Sequence, residues 1–258
     1  MNIGGATTNL HPGCGNRIGL GAGGYACGMA SSPTAPASMS ADEARVRLAL
    51  REEADVAEFL DVLDETTETL DRGGVEYLFM GGIASSCLGR ERWTHDIDLF
   101  TRPEEASRAL ASLADAGFEI EETFPDWLFK AWKGNQMVDV IFRTAGDITV
   151  DRTMLERAPT VPFMGRSVRT VPPEDLVVIK AIVASEHAPR HWHDALAILV
   201  TTDLDWTYLM HRARHGIRRV LSLLLYAQSS DIAVPSAIVR ELFARAEGTV
   251  DEKPAVAS

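Results

Sequence analysis

The stretch His95-Asp96-Ile97-Asp98-Leu99-Phe100 alternates acidic and apolar residues with a period of two. On a strand, this alternation sets Asp96 and Asp98 side by side on one face and Ile97 and Leu99 on the other. Two carboxylates that close repel each other unless something positive lies between them. The strand therefore needs a fold that packs one face into a core and turns the other toward a cation. A divalent ion meets that demand, and Mg²⁺ binds through one or two carboxylates together with phosphate oxygens and water.

The residues upstream supply the rest of such a site. Val75 to Met80 is an apolar and aromatic run that reads as a buried strand. It stops at Gly81-Gly82, and Ile83-Ala84-Ser85-Ser86 continues as a short helix through Leu88. Bare backbone N–H groups at a helix start, beside a metal, suit a phosphate. A third acid, Asp139, lies in the apolar strand Met137-Val138-Asp139-Val140-Ile141-Phe142, where a lone carboxylate would be costly without a metal or partner. Neighbouring strands can bring it opposite the first pair. Two metals about 3.5–4 Å apart in such a cage would activate an attacking hydroxyl and stabilise a leaving pyrophosphate. The plainer reading, acids at a strand end that face water, explains a bare D-x-D but not the glycine pair or the distant third acid.

The rest of the chain bounds the class. With 258 residues it can form one large domain or two modest ones. No apolar run approaches the roughly 20 residues of a membrane span, so no membrane is expected. The formal charge of −12 argues against a generic polyanion binder, while leaving room for a local basic patch. Three cysteines form no paired framework, which points to a reducing, cytoplasmic setting. Residues 1–41 contain a single charged side chain, Arg17, and read as a disordered tail. Gly19, Gly21 and Gly24 there match a dinucleotide fingerprint but lack the strand and helix that give it meaning. Cys14 and Cys27 lack further zinc ligands nearby. Met39, just before the ordered part, is a second candidate start of translation.

A capping box at Ser40-Ala41-Asp42-Glu43 opens a helix, and Val56, Phe59, Leu60 and Leu63 form its buried stripe up to Gly73-Gly74. A helix over 104–116 and a hairpin over 127–143, turning at Lys133-Gly134-Asn135, follow. From Pro172 the pattern is helical in four segments, 173–187, 191–201, 205–228 and 235–247. The expected layout is α+β: a mixed sheet with flanking helices over 42–171, an all-helical part over 172–250, and a disordered end over 251–258.

Taken together, Tyr77-Leu78-Phe79-Met80-Gly81-Gly82-Ile83-Ala84, Arg90, Arg92 and Asp96-Ile97-Asp98-Leu99-Phe100 resemble the DNA polymerase beta-like nucleotidyltransferase superfamily. Within it, the similarity is to abortive-infection type toxin nucleotidyltransferases and related bacterial proteins, over roughly residues 55–200. The resemblance implies a nucleotidyltransferase-like mixed sheet, a nucleoside triphosphate (NTP) donor and two Mg²⁺ ions, with Mn²⁺ as an alternative. It makes Asp96, Asp98 and Asp139 the catalytic and metal-binding carboxylates, with Gly81 and Gly82 on the triphosphate. Many members carry a Gly-Ser pair at the turn. Here Ile83 follows Gly82, which leaves Ser85 and Ser86 as the nearest hydroxyls. Toxin-like relatives imply a transfer RNA or other RNA acceptor and a cognate antitoxin; antibiotic-modifying relatives imply a small-molecule acceptor. A catalytically silent nucleotide-binding module and an unrelated metal-dependent hydrolase are the other readings.

Lys180 shares a helical stripe with Leu176, Ile179 and Val183. Snorkelling would explain it, but relatives carry a lysine after a similar Pro-Glu-Asp-Leu start, which implies a triphosphate contact. Arg92, with Arg90, is read either as a phosphate partner or as a solvated loop residue. Asp194 matches a downstream acid of the toxin-like relatives or is a plain helix-surface acid. His187, His191 and His193 read as surface histidines, because Pro189 interrupts the helical frame that a metal spacing needs. Arg212, Arg214, Arg218 and Arg219, with His215, are a candidate RNA contact or a salt-bridged face.

Overall fold

The computed structural model describes residues 41–251, with side chains from 53 to 248. The glycine-rich segment 1–40, with Cys14, Cys27, the fingerprint glycines and Ser40 of the capping box, lies outside the described residues, as does 252–258. From Val46 on, the described residues form one compact unit.

Helix α1, Ala41–Arg72, buries Phe59, Val62, Leu63, Thr66 and Leu70, which recur at the three- and four-residue spacing of one helical face. It ends where Gly74 takes a left-handed conformation, φ 61°, and Val75 N–H returns to Leu70 C=O. A sheet then forms from β1 (Tyr77–Phe79), β2 (Asp96–Thr101), β3 (Glu119–Phe124), β4 (Leu128–Lys133) and β5 (Gln136–Ile141). Its order is β1-β2-β5-β4-β3. Only β2 and β5 run parallel; the other pairs are antiparallel. Helix α2 (Gly81–Leu88) separates β1 from β2, and α3 (Pro103–Asp115) provides the crossover after β2.

The two faces of the sheet meet different partners. Ile97 and Leu99 of β2 and Val138 and Val140 of β5 pack with Phe59, Leu63, Leu110 and Leu113 of α1 and α3. The opposite face carries Leu78, Phe100, Leu128 and Ile141 into a second cluster with the C-terminal helices. These helices are α5 (Pro173–Val183), α6 (Arg190–Thr201), α7 (Trp206–Arg212), α8 (Ile217–Ser229) and α9 (Ser236–Asp251); short α4 (Arg152–Arg157) precedes them. Asp96 and Asp98 lie on that second face, four and two residues before Phe100. The face is thus apolar at one end and acidic at the other. The architecture is the expected α+β fold with an all-helical C-terminal part.

Three details differ from the sequence expectation. Strand β3 and the hairpin β6 (Thr160–Phe163) with β7 (Arg166–Arg169) had no alternating pattern to announce them. The expected helix 205–228 is broken into α7, a 3-10 turn at Ala213–His215 and α8, because Gly216 leaves the helical conformation at φ −168° and ψ 54°; it lies against Ile182 too closely for a Cβ. Helix α5 stops at Val183, short of 187, and Ser185 pairs with Ala188 just before Pro189. Among the described residues, no helix is long and apolar enough to cross a membrane.

Candidate active site

The parallel pairing of β2 with β5 puts Asp98 directly opposite Asp139, and Asp96 one pleat further on the same face. The glycine turn lies against them. Gly81 has φ 55°, and a Cβ on it would overlap the Asp98 carboxylate; a Cβ on Gly82 would overlap Thr94. The pair is glycine because the acid strand comes that close. Gly82 N–H, in the first turn of α2, donates to Asp98 Oδ2 at 3.2 Å.

These residues line a cavity of about 820 Å³. Gly81, Gly82, Asp96, Asp98, Asp139, Arg92 and Lys180 all reach it. Burial, reinforced by Asp139 and, more weakly, by Asp96, pushes the Asp98 carboxyl up to about 6, with the Gly82 N–H opposing. Burial also raises Asp139, against the pull of Lys130, and Asp96 adds to the rise. Neighbouring acids thus add to burial in impeding the ionisation of Asp98 and Asp139.

Positive charge enters from two sides. From β4, Lys130 Nζ donates to Asp139 Oδ1 at 2.7 Å. From α5, Lys180 projects to the cavity although it is only 3% exposed, and its ammonium donates to Asp194 Oδ2 at 3.1 Å. Asp194, on α6, is fully buried. It accepts two further hydrogen bonds from Arg92, at 3.2 and 3.0 Å, and Arg90 stands 3.8 Å away. Burial alone would raise Asp194, but Arg92 and Lys180 together hold it below the usual carboxylate range. Burial lowers Lys180, and Asp194 is the largest influence opposing that. His191 Nδ1 is 3.5 Å from Lys180 Nζ, and burial followed by that ammonium lowers the imidazole to about 4.

Other sequence candidates stand elsewhere. Ser85 Oγ donates to Gly81 C=O at 2.6 Å, and Ser86 Oγ accepts from Arg92 N–H at 3.4 Å, so neither hydroxyl lines the cavity. His187 and His193 are exposed, whereas His191 is half-buried at the cavity wall, which corrects its reading as a surface residue. Arg212 takes the salt-bridged alternative and not the RNA contact: it is 2% exposed, inside the protein and not on a face, and paired with Asp151 and Asp175. Arg214, Arg218 and Arg219 are exposed. Lys130, Trp93 and Trp127 reach the site or its walls without having been singled out. Lys130 was legible: a two-residue turn at Gly134-Asn135 pairs 133 with 136, and hence 130 with 139.

Three carboxylates on one face are hard oxygen ligands of the kind that bind Mg²⁺ or Mn²⁺, and the raised protonation of Asp98 and Asp139 calls for a cation. Among the described residues, no three His, Cys, Asp or Glu side chains close on one point as they stand. Asp139 is turned to Lys130, and Asp98 to Gly82.

An acid pair, a third acid on the parallel neighbour and a glycine-opened helix against them define the polymerase beta-like class of nucleotidyltransferases. Within that class, the chain belongs to the family described as uncharacterised nucleotidyltransferase, whose sequence model matches residues 40–230. No curated protein matches the chain. Among solved structures, the antibiotic-resistance factor ANT(2'')-Ia is 18% identical with a TM-score of 0.45, over 77% of this chain and 100% of its own. The lincosamide antibiotic adenylyltransferase LnuA, in its lincomycin-bound form, is 14% identical with a TM-score of 0.40, over 57% of this chain and 97% of its own.

Proposed function

We propose that the protein moves a nucleoside monophosphate from an NTP to an acceptor hydroxyl, with a divalent metal held by Asp96, Asp98 and Asp139. The observation that carries this is the pairing of Asp98 with Asp139 across parallel strands, with Asp96 and the Gly81-Gly82 turn on the same cavity. Bound Mg²⁺ or Mn²⁺, as one or two ions, would polarise the phosphate oxygens and favour the hydroxyl as nucleophile. The chain's own groups do the rest. Lys180 and Arg92 offer fixed positive charge to the triphosphate, and Asp194 is the positioning residue that holds both. The Gly82 N–H, which donates to Asp98 as it stands, would be available to the same phosphates once Asp98 turns to a metal. The acceptor oxygen bonds to the α-phosphorus as the bond to the bridging oxygen breaks, and pyrophosphate leaves. Asp139 is placed to take the hydroxyl proton.

The acceptor is an RNA end in the first reading, supported by exposed Arg214, Arg218 and Arg219; a toxin role with a cognate antitoxin belongs to that reading. A small-molecule acceptor is the second. The cavity is the size of a ligand pocket, and Asp126 and Trp127 at its wall suit a compact polar ring better than a phosphate backbone. One experiment tests both. The protein is incubated with each NTP labelled on its α-phosphate, Mg²⁺ and cell extract, and the labelled product is identified. Label joined to an acceptor, with pyrophosphate released, is expected. Release of inorganic phosphate, or binding without turnover, overturns the proposal.

A further inference from the structure

Across four strands, one register line carries Glu121, Lys130, Asp139 and Asp98 in that order. Directly paired residues project to the same face, so Lys130 has a carboxylate neighbour on either side. Its ammonium lies with Asp139, at 2.7 Å, and 3.1 Å from Met137 Sδ, which stands beside Asp96 in the next row. The pair is largely enclosed, with Lys130 18% and Asp139 14% exposed. Glu121, the other neighbour, is exposed on the edge strand.

We propose that Lys130 is the resident counter-ion of the acid site, which binds Asp139 when no metal is present and must release it when a divalent cation loads. The inference rests on the reading of Asp139 as a metal ligand. An ammonium and a divalent ion on the same carboxylate repel each other, and the oxygen that Lys130 occupies is one the metal would need. Lysine suits such a part because it is a compact charge on a flexible stem, free to swing between partners. Glu121 offers the second position: on metal loading, Lys130 crosses from its β5 neighbour to its β3 neighbour. Lys130 then sets the concentration at which the site fills.

The consequence is read without turnover. Mn²⁺ binding is measured by electron paramagnetic resonance on the full chain, without nucleotide, for the wild type, Lys130→Met and Lys130→Arg. Removing the competitor should tighten Mn²⁺ binding on the order of tenfold, equivalent to about 1.4 kcal/mol, whereas arginine should leave it near the wild-type value. A second measurement uses the wild type alone, so a Lys130→Met variant that fails to fold does not block the test. The chain has four lysines, Lys130, Lys133, Lys180 and Lys253, so reductive methylation read by mass spectrometry follows each one. Lys130 should react faster with Mn²⁺ than with EDTA. Wild-type affinity in Lys130→Met, or Lys130 reactivity indifferent to Mn²⁺ that is demonstrably bound, overturns the counter-ion role alone. A wild type that binds no Mn²⁺ overturns the metal reading beneath it as well.

Discussion

Asp194→Asn removes one charge from the most enclosed ionic hub of the site. Asparagine keeps the shape and one acceptor oxygen. In the parent, the carboxylate takes two hydrogen bonds from Arg92 and one from Lys180, with none of its side chain exposed. Removing one partner of a buried ion pair costs about 3–5 kcal/mol, because the other charge is left in a low-dielectric setting. Arg92 is partly exposed and can turn to water, but Lys180 cannot, so about 3–4 kcal/mol applies. At about 2–4 °C per kcal/mol for a chain of this size, the melting temperature should fall by about 10 °C. Function should move in a specific direction. Lys180 is already lowered by burial, and Asp194 opposes that. Without Asp194 the ammonium loses its proton at lower pH, so NTP affinity should fall off earlier on the alkaline side. The KM for NTP should rise on the order of tenfold for each 1.4 kcal/mol of lost binding, with kcat less affected. Differential scanning fluorimetry and steady-state rates across pH provide the readouts. In a Lys180→Met background the stability cost of Asp194→Asn should shrink markedly, since residues in direct contact couple by about 0.5–3 kcal/mol. Equal cost in both backgrounds, or an unmoved alkaline limb, would refute the hub.

The other sites make separable predictions. Asp98→Asn should abolish transfer yet raise the metal-free melting temperature above pH 6. The raised carboxyl, about 6 against 3.8, favours the folded state fully below pH 3.8, and that advantage is lost by pH 6. Discounted for solvent screening, the relief is about 1–2 kcal/mol, a few degrees; a lower melting temperature in EDTA refutes it. Asp139→Asn should reduce kcat far more than NTP affinity, because a group that takes the acceptor proton acts in the transition state; single-turnover and binding assays separate the two. Lys180→Met should weaken NTP binding as much as Lys180→Ala, and recovery in Met would reduce the residue to packing. If RNA is the acceptor, Arg214→Ala with Arg218→Ala should flatten the salt dependence of acceptor binding by about one unit per lost phosphate contact. Arg212 should not be probed this way, since its loss would unpair Asp175 in the core.

Much of the candidate site's layout is legible in the sequence, and the reason is physical. Asp96, Asp98 and Asp139 break the local rule of their strands: each is an acid where the pattern calls for a core or an ordinary solvent face. Gly81 and Gly82 were recognisable as a turn, but the reason for two glycines appears only when Asp98 is seen against them. What stayed hidden was either locally unremarkable or purely tertiary. Strand β3 is exposed on both faces over most of its length, so no alternation marks it. The β6–β7 turn uses Met164 at φ 46° ahead of Gly165, a conformation that methionine does not advertise. The need for glycine at 216 comes from Ile182, thirty-odd positions away in sequence.

Lys180 and Asp194 are legible together where neither is alone. Lys180 lies on the stripe of Leu176, Ile179 and Val183, where by itself it reads as either snorkelling or functional. Asp194 lies on a stripe too, one that buries Ala195, Ile198 and Leu199 on the next helix. Each alone is an unpaired charge on an apolar face, which is costly. Two such faults of opposite sign, on consecutive helices joined by a short connection, resolve each other if the helices pack face to face. The structure pairs them at 3.1 Å. A solvent-bound lysine would need no acid on the facing stripe, and an acid serving only Lys180 would not recruit Arg92 from the loop before β2. That third partner turns a core ion pair into a surplus of positive charge directed at the cavity, where a triphosphate would be held.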